Sequence, residues 1–599
     1  MYEKKRCAIY VYWDSKGVLR DFAFYYLQEL HKHCSRVLCI VNGSLQQIDK
    51  EKLKQSGIEV YCRRNDGYYF HAYKYGINLL KLNSLDCDEL IITNSSVYGP
   101  VRPLEEVFKK MEGSSCDFWG ITGHAKTKLF KPHIQSYFVV FKQACLKSKA
   151  FGMFWSKLPM FQTRDEAIKK GEVELTDFLS KYGLKWETLI PISQHEKISP
   201  EISVLCANLA LRFGSPFIKR RVFTTERQHF IAYSNASESL ECLEYLKQHS
   251  EYDVNLIYDD LIQNYPQSQW SGLIGSGKIL PTGYVPDNFS DQELKRAALV
   301  LFVYFEDLVD AVVSYIIHLP KNLAVILVSP KKNLLKQYKE KLIFKFEHLE
   351  LREHPNRGRN ETAYFIVCKD VFSNYEYVCL LHDKKCAHLP LEIYGRTFQK
   401  HCFDSLIFNS YYIKNIIKIF KDNPKIGLIS PPWPIFGYWD GPRSCNFDSN
   451  IQEIRKIYRF LDMKVPLDEK IFFPVGTMFW VRSEALSSFF KHNWMIEDFP
   501  EEPLKTDGTI LHALERMYCL FAQDSGYYST WVLPDKYACT YIENLLLKAY
   551  PENYCSLDSS IQGKVKVTEK IVTYKQLKID IRLFLTRKIK EFSHRWMRS

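Results

Sequence analysis

Apolar and β-branched residues fall in short unbroken runs, each closed by turn residues and followed by segments with helical spacing. Such runs suit strands buried on both faces of a parallel sheet, with helices supplying the crossovers. AIYVYWDSKGVLRDFAFYYLQEL (8–30) is a strand ending in an acidic residue, then a helix-period segment with aromatics on one face. LVLFVYFEDLVDAVVSYIIHL (299–319) repeats that plan. RRNDGYYFHAYKYG (63–76) is then matched by HPNRGRNETAYF (354–365), and DELIITNSSVYGP (88–100) by YEYVCLLHDKKCAH (375–388). HIQSYFVVF (133–141) parallels FPVGTMFWVR (473–482), and GEVELTDFLSKYG (171–183) parallels EEPLKTDGTILHALER (501–516). The spacing agrees too: Tyr12 to Gly67 is 55 residues and Tyr304 to Gly358 is 54.

Five matched blocks in one order predict two α/β domains of similar build. The expected boundaries are 1–224 and 291–540, with a connector at 225–290 and a basic amphipathic helical tail at 541–599. The connector contains ESLECLEYLKQH and then the Gly/Pro/Ser-rich SQWSGLIGSGKILPTGYVP, which reads as turn-rich. In the tail, Leu577, Ile581, Phe584, Ile589, Phe592 and Trp596 recur at helical spacing among Lys and Arg, a pattern suited to an anionic membrane surface.

Composition narrows the function. The chain of 599 residues is 46% hydrophobic, 15% aromatic and 25% charged, with a formal net charge of +12. Part of that charge lies in KRR at 219–221 and part in the tail, which suits acidic substrates or a membrane surface. No zinc-finger, basic-zipper or RNA-recognition signature is present, so nucleic acid is not an expected partner. The 17 cysteines are scattered without a CxxC, which suits a reducing cytoplasmic compartment. The amino terminus has no apolar stretch of signal-peptide length. The longest apolar window, Ala298 to Pro320, is cut by Glu306, Asp307 and Asp310 and does not read as a membrane span. Neither half carries GxGxxG after its first strand or GxxxxGK[ST], so a standard dinucleotide or P-loop site is not expected. GLIGSGK (272–278) lacks the strand–helix frame and reads as a turn.

Candidate chemistry gathers at strand ends, where open α/β sheets place their ligands. LLHDKK ends an apolar run with His382, Asp383 and Lys384; an acidic group there suits a divalent cation, and Lys suits a diphosphate. Arg357, Gly358, Arg359 and Asn360 form a flexible, basic segment suited to phosphate oxygens. Glu501, Glu502 and Asp507 precede a helical segment bearing Glu515 and Arg516, and one of these carboxylates is expected to take a proton from an attacking hydroxyl. In the first half the strand tip is Asn94-Ser95-Ser96.

In order, GRNETAYF, LLHDKK, NPKIGLISPP, FPVGTMFWVR and DGTILHALER resemble the rhamnan synthesis protein F family of bacterial cell-wall polysaccharide glycosyltransferases. RNDGYYFHAYKYG, ITNSSVYGP, DFWGIT, HIQSYFVVF and PFIKRRVF carry the same resemblance through the first half. The resemblance implies two tandem GT-A-like, Rossmann-like nucleotide-sugar domains. It implies inverting transfer of L-rhamnose from dTDP-rhamnose to a growing lipid-linked cell-surface polysaccharide, at the inner face of the plasma membrane, with Mg²⁺ or Mn²⁺ as a possible cofactor. Alternatives are another nucleotide-sugar donor on the same fold, or a non-catalytic glycan-binding or assembly subunit.

Carried onto this sequence, the resemblance assigns His382, Asp383, Lys384, Arg357, Gly358, Arg359 and Asn360 to the donor, Asp383 also to a metal. In the first half it assigns Asn94, Ser95, Ser96, Asn65 and Gly67 to a donor. Glu502, Asp507 and Glu172 are the implied catalytic carboxylates, and His133, Gln135, Glu515 and Arg516 serve the acceptor or the scaffold. Three departures stand out: Ser95 where the family usually shows Asp, Asn360 where Gly-Arg-Asp is usual, and Tyr69 at the comparable first-half position.

Overall fold

A computed structural model describes residues 4–81, 87–285, 289–385, 391–437, 448–467, 472–504 and 507–549. They divide into two compact units, one up to Ile257 and one from Tyr258 onward. The first holds β1 (Arg6–Tyr12), β2 (Arg36–Asn42), β3 (Glu59–Arg63), β4 (Glu89–Asn94), β5 (Phe118–Gly120), β6 (Phe138–Lys142) and β7 (Trp186–Thr188). Their order across the sheet is β7-β5-β6-β4-β1-β2-β3, with β6 alone antiparallel to its neighbours.

The second unit repeats this order. Its strands are β8 (Ala297–Phe302), β9 (Ala324–Ser329), β10 (Leu349–Glu353), β11 (Tyr377–His382), β12 (Ile426–Ser430), β13 (Phe479–Arg482) and β14 (Tyr528–Pro534). They lie β14-β12-β13-β11-β8-β9-β10, again with one antiparallel strand, β13, and with Lys278–Leu280 added outside β14. Both units are thus Rossmann-like α/β sheets, as the sequence led one to expect. Central β1, β4, β8 and β11 are buried at every position, which is why they read as unbroken apolar runs, while the edge strands β3 and β10 are only half-buried.

Residues 225–290 do not form a separate linker. Glu238–His249 buries Ser239, Cys242, Leu243 and Leu246, and its Ser239 hydroxyl donates to Val222 O at 2.6 Å within the first unit. In the second unit Gln267 exchanges side-chain hydrogen bonds with the Ser529 backbone, and Lys278 pairs with Val532 at the sheet edge. The apolar face of the helix and the extra edge strand explain the difference: both bury surface that a linker would leave in water. The tail from 550, with the helical stripe at 577–596, lies outside the described residues.

Helix α1 (Tyr68–Leu80) follows β3 and α2 (Glu174–Lys181) precedes β7; α3 (Arg359–Thr362) and α4 (Ile510–Asp524) take the corresponding places in the second unit. The entries to α1 and α3 share an unusual backbone. Gly67 and Tyr68 are both left-handed (φ 69° and 57°), as are Gly358 and Arg359 (φ 75° and 53°). A Cβ on Gly358 would lie 2.3 Å from Thr362 Cγ2 and 3.1 Å from Phe499 Cβ. Gly358→Ala is therefore expected to lower the stability of the second unit by about 1–3 kcal/mol through strain and overlap together. Gly526→Ala, left-handed but with open space around it, should cost less; a smaller drop in unfolding temperature at 358 than at 526 would contradict this.

Candidate functional site

The two sheets can be superposed residue by residue at the strand ends. Val11 pairs with Asn94 and Phe302 with His382, while Ser95 N donates to Val11 O (3.0 Å) and Asp383 N to Phe302 O (3.1 Å). Asn94 thus corresponds to His382, and Ser95 to Asp383. The same register makes Val139, opposite Ile92, correspond to Phe479, opposite Leu380. Ser136 then corresponds to Gly476, at the approach to the antiparallel strand.

That approach carries the shared chemistry. Glu515, on α4, accepts the Gly476 N–H at 2.6 Å. Glu172, in the π-turn leading into α2, accepts the Ser136 N–H at 2.7 Å and the Ser136 hydroxyl at 2.5 Å. The two glutamates occupy one role on one scaffold. The carbonyls of the same residues are also engaged. His382 Nε2 lies 2.8 Å from Gly476 O, whereas in the first unit Asn94 donates to the Tyr73 hydroxyl (2.7 Å), which donates to Ser136 O (3.1 Å). Tyr364, six residues after Gly358 as Tyr73 is after Gly67, has a buried hydroxyl without a partner among the described residues, because His382 has taken over its contact.

Asp383, the residue after β11, is almost fully buried. Its Oδ2 accepts the backbone N–H groups of Tyr304 (2.9 Å) and Phe305 (2.8 Å), and its Oδ1 has no partner among the described residues. Burial pushes the carboxyl up to about 6 against those two hydrogen bonds. The orphaned oxygen fits a divalent cation as a single protein ligand; among the described residues no group of three acidic, His or Cys side chains could complete a shell. Such a cation would draw its remaining ligands from donor phosphates and water. Burial, then Lys384, holds His382 down to about 4, so its neutral ring donates one hydrogen bond to Gly476 O or to Asp383 O, each 2.8 Å away.

The other second-unit candidates form a belt beside this centre. Arg357 donates to Phe499 O (2.7 Å), Glu497 O (3.1 Å) and Glu501 (3.0 Å). Arg359 meets Glu502 through two nitrogens at 2.8 and 3.4 Å, and this partner holds the Glu502 carboxyl below its usual range. Asp507 accepts from Ser449 (2.7 Å) and Asn450 (2.9 Å); these outweigh burial and hold it low. Arg516 donates to His512 O at 2.9 Å and lies 4.0 Å from Asp507. Glu502 and Asp507 are committed to partners, whereas Glu515 Oε2 makes no hydrogen bond among the described residues. Lys384 N is tied to Gln399, and Asn360 opens α3 half-buried.

Glu361 escaped the sequence reading. It is buried, accepts the Thr477 hydroxyl at 3.0 Å, and is pushed up to about 7 by burial and then by Glu515. Glu361 and Glu515 thereby grip adjacent residues of one left-handed turn, Gly476 (φ 81°) and Thr477 (φ 53°). The available signal was an acidic residue three positions after Gly358, facing inward before the apolar TAYF. Phe70 stands three positions after Gly67, so the first unit lacks this carboxyl.

In the first unit the structure brings His133, Gln135 and Glu172 together. His133 Nε2 is 3.7 Å from Glu172, its other nitrogen 2.7 Å from Lys131 O, and Gln135 bridges Thr122 (2.6 Å) and Glu201 (3.1 Å). Asn94 also accepts the Ser96 N–H at 3.0 Å, closing a turn. Asn65 is exposed in the loop before Gly67.

The family model for rhamnan synthesis protein F matches residues 37–527. The chain belongs to the rhamnan synthesis protein F family. Among relatives, y4gN of Sinorhizobium fredii, an uncharacterised protein, is 28% identical over 170 residues, which are 28% of this chain and 44% of that protein. WxcX of Xanthomonas campestris pv. campestris, also uncharacterised, is 24% identical over 248 residues, 41% of this chain and 34% of that protein. The matched region thus spans less than half the length of either relative. Among solved structures, the glycosyltransferase GlyE of Streptococcus pneumoniae aligns at 11% identity and a TM-score of 0.22, over 64% of this chain and 87% of that one. The family match takes in both glutamate clamps and leaves out strands β1 and β14.

Glu361 gives a pH test. Its carboxyl is raised in the folded state from an ordinary 4.5 to about 7, so the folded chain binds the proton more tightly than the unfolded one. Stability therefore falls as pH rises from 4.5 to 7, by up to about 3 kcal/mol. Glu361→Gln removes that dependence: relative to the parent, the variant should gain stability between pH 4.5 and pH 8 in denaturant unfolding of the second unit. Parallel pH profiles for parent and variant would refute the assignment.

Proposed function

We propose that the protein is a glycosyltransferase whose second unit transfers a sugar, L-rhamnose from dTDP-rhamnose, to a growing lipid-linked polysaccharide on the cytoplasmic face of the membrane. The carrying observation is Glu515, a carboxylate with one oxygen fixed by Gly476 N–H and the other without a hydrogen bond among the described residues, in the unit whose strand end keeps Asp383. Family membership supports a polysaccharide substrate, and the family's description, rhamnan synthesis, supports rhamnose as the sugar.

In this reading the acceptor hydroxyl gives its proton to Glu515 as its oxygen attacks the anomeric carbon. The bond from that carbon to the diphosphate oxygen breaks, and the electron pair leaves with the nucleotide. One displacement inverts the anomeric centre and needs one base. Lys384 and Arg359 supply positive charge for the leaving diphosphate, and Asp383 Oδ1 is where a Mg²⁺ or Mn²⁺ ion would bind, adding charge neutralisation. Asp383, His382 and Glu361 fix the strand end and the Gly476–Thr477 turn that aims Glu515. Among the described residues no helix is long and apolar enough to cross a membrane, so contact with a lipid-linked acceptor falls to a surface or to the tail beyond 549.

The test is transfer and donor hydrolysis with dTDP-rhamnose and UDP-hexoses, with and without Mg²⁺ or Mn²⁺, in the presence of crude lipid acceptor. Glu515→Gln is expected to lower kcat by about 10²–10⁴-fold with little change in donor KM, and Asp383→Asn to weaken donor binding. Full activity in Glu515→Gln, with loss in Glu502→Gln instead, would move the base to the loop. No turnover with any donor would favour a glycan-binding or assembly subunit.

A further inference from the structure

The first unit keeps the scaffold but has Ser95 where the second has Asp383, and a neutral hydroxyl does not hold a divalent cation. What stands beside Ser95 instead is positive charge. The short strand Ile218–Lys219 pairs with Val97–Tyr98 just beyond the strand end, in the register Lys219 to Val97. Arg220 is spent on holding this segment: its backbone N–H donates to Ser96 O at 2.9 Å, its guanidinium donates to Ser95 O at 3.3 Å, and it lies over the rings of Phe22 (4.8 Å) and Tyr98 (5.9 Å). Its neighbours are thereby fixed at the site.

Lys219 is largely buried, with its ammonium 3.8 Å from Glu201 Oε1 and 5.2 Å from the Tyr137 ring centre. Burial lowers its pKa; Glu201 and Glu172 oppose this, and Arg221 and Arg164 add to it. The charges of two guanidinium groups therefore bear on a lysine that is already confined. Both carboxylates are otherwise satisfied, Glu172 by Ser136 and Glu201 by Gln135 (3.1 Å) and Ser203 N (2.6 Å). Arg164 and Arg221 are exposed, and their guanidinium groups make no hydrogen bond or ion pair among the described residues. Lys219 and two solvent-open arginines thus bear on one another around Glu201. An anion bearing two or more charges fits that imbalance, and guanidinium forks match phosphate oxygens.

We propose that the first unit binds a diphosphate directly through Lys219, Arg221 and Arg164, these side chains supplying the charge that a carboxylate-held cation would supply in the second unit. The diphosphate belongs either to a nucleotide-sugar or to the lipid-linked acceptor; the chemistry of recognition is the same. Glu172 fits a binding role. Burial alone would raise it, but His133 and Lys219 outweigh burial and hold it at about 2, which makes it a weak proton acceptor. The proposal does not depend on transfer by the second unit.

The test uses the full chain with Asp383→Asn to weaken the second site, in EDTA. Calorimetric titrations with dTDP, UDP and inorganic diphosphate are run beside flotation with phosphatidylcholine vesicles with and without polyprenyl diphosphate. At least one diphosphate probe should bind, and Arg164→Ala with Arg221→Ala should weaken it by roughly tenfold or more. Both arginines are exposed, so the first unit should melt as before; Lys219→Met is the second variant and should act in the same direction. Binding of dTDP or UDP identifies a nucleotide-sugar site, and binding confined to the loaded vesicles identifies the lipid diphosphate. No binding by any probe in EDTA, or binding indifferent to both arginines, overturns the proposal. Transfer is measured separately through Glu515→Gln, so its failure leaves this result untouched.

Discussion

Where the antiparallel strand enters each sheet, one backbone N–H points away from the ladder and needs an acceptor. A buried N–H without one costs as much as a lost hydrogen bond. Both units meet this with a glutamate from the helix that follows: Glu172 at Ser136 and Glu515 at Gly476. The clamp ties the helix to the sheet edge and at the same time puts a carboxylate beside the end of the central strand. Structural necessity and candidate chemistry thus rest on one hydrogen bond.

Around that shared clamp the units diverge by single residues. Asn94 and His382 both serve the carbonyl next to the clamp, one through Tyr73 and one directly. Ser95 replaces Asp383, Phe70 replaces Glu361, and the first unit carries Lys219, Arg221 and Arg164. The second unit therefore gathers buried carboxyls with raised pKa values, Asp383 at about 6 and Glu361 at about 7, where proton transfer near neutral pH is within reach. The first sets Lys219, with Arg221 and Arg164 acting on it, beside a carboxylate, Glu172, held at about 2. The same backbone thus carries different charge in its two copies, buried carboxyls in one and added cations in the other.

Much of the fold was legible because the signals are local. Unbroken apolar runs marked the central strands, and the paired glycines, Gly67 and Gly358, marked the same left-handed turn. The matched blocks ITNSSVYGP and LLHDKK brought these strand ends together, and the hydrogen-bond register pairs Ser95 with Asp383. The connector was misread because Gly and Pro signal turns wherever the chain goes, and only tertiary contact shows that Lys278–Leu280 extends a sheet. Glu361 was missed because one acidic residue in GRNET carries no mark of burial.

The sequence by itself determined the α/β class, the duplication and the positions of the two strand ends, because each is written in the periodicity and order of nearby residues. Only the tertiary structure decided which carboxylate is engaged and which has an oxygen to spare. Glu502, Asp507 and Glu515 look alike along the chain. Their partners are Arg359, Asn450 and the Gly476 N–H, 143, 57 and 39 residues away, and only folding brings such distant groups within hydrogen-bond reach.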